Sequence, residues 1–245
     1  MLIQFNRPEK MNGLDNQLLK ELLTAFNEAE SDETVKVIIL TGGEQVFTAG
    51  GDLQFLAKLD QLGATELCEL VQKVVVAMRT MSKPVIAAVG GPAIGGGLEL
   101  ALAADIIIAS QNARLGLTQL NLGIIPGAGG THTLIKMIGL NWTRYLIYTG
   151  ELIDPDTALK LGMISKVVPR NEVISAALKL AEKLATKAPL ALSLAKKNIN
   201  QAAYVDFNSS IQFEQQAWGF LFSTQDQREG FKAFLEKRKP CFQGR

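Results

Sequence analysis

Residues 84–110 read PVIAAVGGPAIGGGLELALAADIIIAS, and this stretch decides the fold. It starts with Val85–Val89, a short apolar run bounded by proline and glycine, which is typical of a buried strand. A glycine-rich turn follows. Beyond it, Leu98–Ala104 has the composition of a helix, and Ile106–Ala109 is a second run typical of a buried strand. The stretch therefore predicts a strand, a helix and another strand packed into one core.

The same stretch is apolar enough to be mistaken for a membrane span. However, Glu99 and Asp105 lie inside it, and each charge costs about 2.5–3.5 kcal/mol at the centre of a bilayer helix. We therefore expect no membrane association.

Strand and helix patterns also alternate toward the N-terminus. Apolar residues recur at helical spacing over residues 14–26 and 67–78, and between them Val35–Leu40 forms a run rich in β-branched residues. This alternation predicts the α/β class.

After residue 150 only helical patterns remain. Asp154 and Pro155 are suited to begin a helix, Gly162 to end it, and Thr224 is suited to cap a last one. Three long helical patterns lie between them, over residues 171–187, 189–201 and 206–222. We predict a core of residues 1–187 and a helical region of residues 188–245. The apolar stripe of that region must be buried on its own core or on a neighbouring subunit.

Composition excludes several classes of protein. The 245 residues carry a formal net charge of +1, which gives no electrostatic argument for nucleic-acid binding. Cys68 and Cys241 form neither a metal-ligand nor a disulfide pattern, so we expect a reducing compartment, the cytoplasm. His132 is the single histidine, so a metal site with several histidines is excluded and we predict no bound metal.

Two glycine-rich loops, residues 47–52 and 90–97, follow the predicted strands. Neither fits a dinucleotide or nucleoside-triphosphate motif. Two readings remain. The glycines could form tight packing turns, or the loops could present unpaired backbone N–H groups that converge on a negative oxygen.

Glu99 follows the second loop by two residues, on the first turn of a helix that is otherwise apolar. A glutamate here could simply complement the helix dipole. The apolar neighbours Leu98 and Leu100 instead indicate burial, and buried carboxylates are uncommon without a partner or a chemical task.

In order and spacing, motifs along nearly the whole chain resemble those of the crotonase family. They are Asn6-Arg7-Pro8, Val37–Thr41, Phe47–Asp52, Lys83–Val89, Gly95–Leu100, Ala104-Asp105, Gly123–Thr131 and Phe231–Lys239. The resemblance implies a spiral of ββα units with a C-terminal helical trimerisation region, assembled as a trimer or as a hexamer made of two trimers. It also implies an acyl-CoA substrate, an enolate intermediate and no tightly bound cofactor, with coenzyme A entering only as part of the thioester.

Carried onto this chain, the resemblance makes the N–H groups of Gly51 and Gly96 an oxyanion hole. Glu99 matches the first of two catalytic glutamates in enoyl-CoA hydratases, whereas the second position is Gln119. Lys237 and its basic neighbours are predicted to contact the coenzyme phosphates. The other residues predicted to contact coenzyme A are Ala49, Gly51, Asp52, Leu53, Gln54 and Gly96.

The retained Glu99 favours an acyl-CoA lyase, an enoyl-CoA hydratase, as the function. A glutamine can orient water but cannot exchange its proton, so Glu99 would have to take the proton from water and return it to Cα. Decarboxylation of a malonyl-type CoA, isomerisation of an enoyl-CoA, or thioester binding without catalysis are the alternatives.

Three polar residues near these motifs are expected to be structural or to order loops. Asp105 is predicted to pair or cap, Asp52 to order its own loop, and His132 to be structural or exposed. Family members usually have further residues before Leu2, including a first strand, so the resemblance leaves the edge of the sheet open.

Overall fold

A five-stranded parallel sheet organises the core. The computed structural model describes all residues, Met1 to Arg245. The order in the sheet is β1-β2-β3-β5-β7, and a separate two-stranded parallel sheet joins β4 and β6. The strands are β1 Leu2–Gln4, β2 Ile38–Thr41, β3 Val85–Val89, β4 Ala93–Ile94, β5 Ile106–Ser110, β6 Leu115–Gly116 and β7 Lys166–Val168. All of these pairings are parallel, so each connection must cross over the sheet, and the α/β class is confirmed.

Ten α-helices and three short 3-10 segments connect and follow the strands. The α-helices are α1 Asn16–Ser31, α2 Leu53–Leu56, α3 Gln61–Thr80, α4 Gly96–Ala103, α5 Gly130–Thr149, α6 Pro155–Lys160, α7 Val173–Ala185, α8 Pro189–Ala202, α9 Phe207–Leu221 and α10 Gln225–Leu235. The 3-10 segments are Pro8–Lys10, Gln119–Leu122 and Arg170–Glu172. None of the helices combines the length and the hydropathy that a membrane span requires.

The central strands are buried on both faces because side chains alternate across a strand. In β2, Ile38 and Leu40 join the larger core, beside α1, α3 and α4. Ile39 points to the opposite face, where Val173 and Ala177 of α7 cover the sheet. This explains why these strands read as continuous apolar runs rather than as alternating ones.

The predicted elements are present, with shifted ends. The β2 strand begins at Ile38 rather than Val35, because the Val35 N–H is used in a turn that ends α1, donating to the Asp32 carbonyl at 3.0 Å. Leu2–Gln4 pairs with β2 as an edge strand of the large sheet.

The helix starts predicted from capping residues are confirmed. The Asp154 carboxylate accepts from the Thr157 N–H at 2.7 Å, with Pro155 in the first turn of α6. The Thr224 hydroxyl accepts from the Gln227 N–H at 3.1 Å at the start of α10. Several features were not predicted. The expectation of only helices after residue 150 was wrong at β7, Lys166–Val168, which pairs with β5, and the short strands β4 and β6 were missed. In addition, α5 is broken at Gly139, whose φ is 76°.

Candidate active site

Two glycine-rich loops lie against each other beside the large sheet. The Ile94 N–H of the second loop donates to the Thr48 carbonyl of the first at 3.0 Å. A Cβ atom at Gly97 would lie 2.3 Å from the Thr48 carbonyl oxygen, a distance that no side chain tolerates. Glycine at this position is therefore what allows the two loops to approach so closely.

The first loop is held in place by the turn at residues 11–14. The Ala49 N–H donates to the Met11 carbonyl at 3.0 Å, and the amide of Asn12 donates to the Phe47 carbonyl at 3.0 Å. Asn12 is fully buried, so its amide must find partners inside the protein. The N-terminal turn therefore sets the position of the loop.

Gly51 and Gly96 each carry a backbone N–H without an acceptor in the chain. Next to Gly51, the Asp52 N–H donates to the Leu14 carbonyl at 2.9 Å, whereas the Gly51 N–H makes no such bond. Gly96 is the first residue of α4, where N–H groups have no partner within the helix. A Cβ atom at Gly50 would lie 3.2 Å from the Gly96 nitrogen, so the residue that precedes Gly51 lies close to the free donor of the second loop.

Glu99 lies on the first turn of α4 with only 3% of its surface exposed. Its Oε1 accepts two hydrogen bonds, from the Ala128 N–H at 2.8 Å and the Gly130 N–H at 2.8 Å. These donors belong to the turn that opens α5, so the carboxylate faces the positive end of a second helix. A Cβ atom at Gly130 would lie 2.9 Å from this oxygen, which explains the glycine there.

Gln119 begins a 3-10 segment and contacts Glu99 directly. Its Nε2 donates to Glu99 Oε2 at 3.0 Å. Only 8% of the residue is exposed, and its Oε1 atom is buried without any hydrogen-bond partner. A buried acceptor without a partner costs about 1–3 kcal/mol, so this oxygen is available to accept a hydrogen bond from a ligand or a water molecule. The two residues that the resemblance pairs are therefore in contact.

Burial raises the pKa of the Glu99 carboxyl above its ordinary value. The backbone N–H groups of Gly130 and Ala128 and the side chain of Gln119 act in the opposite direction, because they stabilise the ionised form. Burial outweighs them. The result is a carboxyl group that changes its protonation state at higher pH than an exposed glutamate does.

The residues predicted to contact coenzyme A around the first loop lie together at its rim. Asp52 caps α2, accepting from the Gln54 N–H at 3.0 Å and the Phe55 N–H at 3.2 Å, so its predicted role in ordering the loop is confirmed. Leu53 is 58% exposed, an apolar side chain presented to solvent. The members of this rim are Ala49, Gly51, Asp52, Leu53 and Gln54, with Gly96 beside them.

Lys237 is distant from this rim along the chain. It follows α10 and is exposed, and no hydrogen bond or ion pair connects its side chain to the loops around Glu99. The neighbouring Arg238 forms a two-point ion pair with Glu229, at 2.6 and 2.8 Å. Within one chain, no hydrogen bond or ion pair joins these basic C-terminal residues to the site.

Asp105 and His132 have the structural positions that were expected. Asp105 accepts from the Val85 N–H at 2.7 Å and pairs with the Lys196 ammonium at 2.8 Å. His132 lies on the exposed side of α5 and stacks on Tyr204 with ring centroids 5.1 Å apart. Neither side chain contacts Glu99.

Apart from Gln119, the residues that surround Glu99 were missed by sequence reasoning. Ala128 and Gly130 donate to it, and a glycine-rich segment before a helical pattern was the available signal for such donors. Cys68 and Gln72 of α3 contact the same turn at Gly127. No sequence spacing indicates a contact between residues so distant along the chain.

Comparison with known proteins adds family information to this geometry. A family model described as enoyl-CoA hydratase/isomerase matches residues 1–245. The chain is 40% identical to the short-chain-enoyl-CoA hydratase of Clostridium acetobutylicum, over 97% of this chain and 92% of that protein. It is also 40% identical to the 2,3-dehydroadipyl-CoA hydratase of Escherichia coli, over 100% and 95% of the two chains. A solved structure of an enoyl-CoA hydratase from Bacillus anthracis superposes with a TM-score of 0.97 at 39% identity, covering 100% of this chain and 95% of that one.

Proposed function

The chain belongs to the enoyl-CoA hydratase/isomerase family and is an acyl-CoA lyase, and we propose that it adds water to a 2-enoyl-CoA with Glu99 as its single acid/base residue. The observation that carries this proposal is the Glu99–Gln119 contact. A buried carboxylate and a buried, unpaired amide oxygen lie side by side next to two free backbone donors.

The free N–H groups of Gly51 and Gly96 are assigned to the thioester oxygen. When water attacks Cβ, the π electrons of the double bond move toward the thioester and leave negative charge on that oxygen. Two fixed donors stabilise this charge without rearranging during the reaction, and loss of one such donor typically costs about 10²–10³-fold in rate. These donors bias the site toward enolate chemistry.

Glu99 is assigned to proton transfer. In its ionised form it takes a proton from water as the water oxygen bonds to Cβ. It then gives that proton to Cα, which collapses the enolate and restores the carboxylate. Water is thereby added across the double bond, and no other acid or base is needed.

Gln119 is assigned to orienting the water molecule. Its Nε2 is engaged by Glu99, which leaves Oε1 free to accept a hydrogen bond from the second O–H of that water. The amide cannot deliver a proton, so the reaction depends on Glu99 for both transfers.

We assign coenzyme A, as part of the substrate, to the rim formed by Ala49, Gly51, Asp52, Leu53, Gln54 and Gly96. The exposed Leu53 supports an apolar contact at this rim. No tightly bound cofactor is required by the reaction. The two free cysteines fit a reducing compartment, and we place the enzyme in the cytoplasm.

We assign residues 188–245 to assembly into a trimer or a dimer of trimers, with residues 1–187 as the catalytic core. Large apolar side chains on α9 and α10 support this assignment, since Phe207, Trp218 and Phe234 are exposed by 76%, 64% and 82%. In such an assembly Lys237 would reach the coenzyme phosphates of a neighbouring subunit. Light scattering on the purified protein tests the assembly, and a monomer at micromolar concentration would contradict it.

The reaction is tested by offering the purified protein three classes of thioester. These are 2-enoyl-CoAs from crotonyl-CoA upward in chain length, a 3-enoyl-CoA and a malonyl-type CoA. We expect loss of the enoyl absorbance and formation of the 3-hydroxyacyl-CoA, identified by mass spectrometry. Glu99→Gln protein, purified in the same way, controls for a contaminating hydratase. Decarboxylation or a double-bond shift without hydration would overturn the proposal, and binding without turnover would indicate a role without catalysis.

A further inference from the structure

Two side chains of α3 form hydrogen bonds to the turn whose N–H groups bind the Glu99 carboxylate. The Cys68 thiol donates to the Gly127 carbonyl at 3.1 Å, and the Gln72 amide donates to the same oxygen at 2.8 Å. The Gln72 amide also lies 3.2 Å from the Cys68 sulfur, so the two side chains form one small cluster. The Gly127 carbonyl thus accepts two hydrogen bonds from a helix that is distant from it in sequence.

The carbonyl of Gly127 shares its peptide group with the N–H of Ala128. A trans peptide is planar and its C=O and N–H point in opposite directions, so fixing the oxygen also fixes the direction of the N–H. That N–H donates to Glu99 Oε1 at 2.8 Å. Hydrogen bonds to the carbonyl also polarise the peptide and strengthen its N–H as a donor.

We propose that Cys68 and Gln72 are positioning residues for the hydration reaction, holding the Gly127–Ala128 peptide so that its N–H stays aimed at the Glu99 carboxylate. The inference rests on the proposed function, in which Glu99 carries the proton. Neither side chain is bonded to Glu99, so both act through the backbone.

The surroundings allow the thiol to remain a donor. Burial raises the pKa of the Cys68 thiol, and the charges of Glu99 and Glu69 act in the same direction. Cys68 therefore stays protonated at neutral pH and can donate its hydrogen to Gly127. The other elements around Glu99 contribute the neutral Gln119 and a turn at residues 127–130 without titratable side chains.

The arrangement has a defined effect on the protonation of Glu99. The Ala128 N–H stabilises the ionised carboxylate, so a less well-aimed N–H makes ionisation harder and the pKa of Glu99 rises further. Since Glu99 must be ionised to accept the proton from water, the acid limb of the pH–rate profile then moves to higher pH.

The test compares Gln72→Leu, Cys68→Ala and Cys68→Ser with the wild type. Lys73→Leu is the matched control, because Lys73 is an exposed neighbour on α3 that makes no side-chain hydrogen bond. For Gln72→Leu and Cys68→Ala we expect kcat to fall by about 2- to 10-fold, as for the loss of one neutral hydrogen bond. The acid limb of the pH profile of kcat should shift to higher pH, and KM should change little. Cys68→Ser keeps a hydrogen-bond donor at this position, so its kcat and the pH of its acid limb should be close to those of the wild type. Lys73→Leu should match the wild type in both.

A second readout does not depend on turnover. The titration of Glu99 can be followed by ¹³C NMR of glutamate-labelled protein, with the signal assigned by its loss in Glu99→Gln. An upward shift of this titration in Gln72→Leu and Cys68→Ala, absent in Lys73→Leu, supports the positioning role. Lower thermal stability with an unchanged Glu99 titration would overturn it and leave only a packing role. If the wild type hydrates no enoyl-CoA, the proposed function fails, and the NMR titration still decides whether α3 positions the peptide.

Discussion

Two buried ionisable side chains, Lys196 and Glu99, can be compared directly, since 8% and 3% of their surfaces are exposed. Lys196 has three acceptors, Met78 O at 2.7 Å, Lys83 O at 2.9 Å and Asp105 Oδ2 at 2.8 Å. An ammonium group has three hydrogens, so every one of them is used.

Glu99 is surrounded differently. Two backbone donors bond to one oxygen and Gln119 bonds to the other, but the Gln119 amide brings a buried oxygen that has no partner of its own. Burial shifts the pKa of both groups toward the neutral form, down for Lys196 and up for Glu99. The comparison teaches that burial alone does not identify a catalytic group. The closed network ties α8 to the core, whereas the open one leaves a polar atom for a ligand.

The largest effect is expected from Glu99→Gln. Removal of the only proton-transferring side chain should lower kcat for enoyl-CoA hydration by about 10²–10⁴-fold. Stopped-flow or steady-state absorbance assays at saturating substrate measure the decrease in kcat. A variant that retained wild-type kcat would show that the Glu99–Gln119 network is not catalytic.

The next effect is on stability, from Lys196→Met. This change leaves Asp105 and two carbonyl oxygens without their partner, and breaking a buried pair in this way costs about 3–5 kcal/mol. Asp105 keeps its bond from Val85 N–H, so we expect the lower end of that range. Urea unfolding measures the free energy, with Lys197→Met, on the exposed side of α8, as the control. Equal stability of the two variants would contradict the structural role of the closed network.

A smaller effect, in the opposite direction, is expected from Gln119→Glu. A carboxyl group at this position can donate or accept a proton, so hydration should become faster, by about 10-fold or more. Two carboxyl groups in contact also titrate as a coupled pair, so a second ionisation should appear in the pH–rate profile. Gln119→Met, which removes the amide without adding an acid, is the matched comparison and should be slower than the wild type. A Gln119→Glu enzyme that is silent in hydration would point to another reaction for the natural enzyme.

The smallest effect concerns the stability of Glu99→Gln. Because the pKa of Glu99 is raised in the folded state, its stabilising contribution is complete at low pH and is lost as the pH rises through the folded pKa. Glutamine carries no such charge and its amide can donate to Gln119 Oε1 after that side chain flips. We therefore expect the Tm of the variant to match or exceed that of the wild type at pH 8, with the advantage shrinking toward pH 4. A lower Tm at pH 8 would show that the carboxylate also supports the fold.

Much of the secondary structure could be predicted because its causes are local. Apolar spacing predicted α1 and α3, the β-branched and apolar runs predicted β2, β3 and β5, and Asp154 and Thr224 marked two helix starts. The ends of β2, the break in α5 at Gly139 and the short strand β7 were not predicted, because turns and packing against other elements determine them.

The candidate site was predictable in part. Family motifs indicated Glu99, Gln119, Gly51 and Gly96, and the structure places Gln119 against Glu99 and the two glycine loops against each other. Lys237 makes no hydrogen bond or ion pair with them within one chain, and its contact with the coenzyme phosphates stays a prediction. The donors at Ala128 and Gly130 were missed although the glycine-rich segment before α5 was a signal for them, whereas no sequence pattern indicates the hydrogen bonds from α3 to Gly127.

The resemblance to the crotonase family indicated that Gln119 stands where a second glutamate is expected. By itself the sequence determined the α/β class, the strands β2, β3 and β5, the helices α1 and α3, and the glycine loops that precede Glu99. These depend on the periodicity of side chains and on residue identity, which a single chain displays directly. Only the tertiary structure decided which N–H groups meet the carboxylate, that the Gln119 oxygen lacks a partner, and that Lys196 has all of its own. Those properties depend on burial and on bonds between residues twenty or more positions apart, and packing of the whole core determines both.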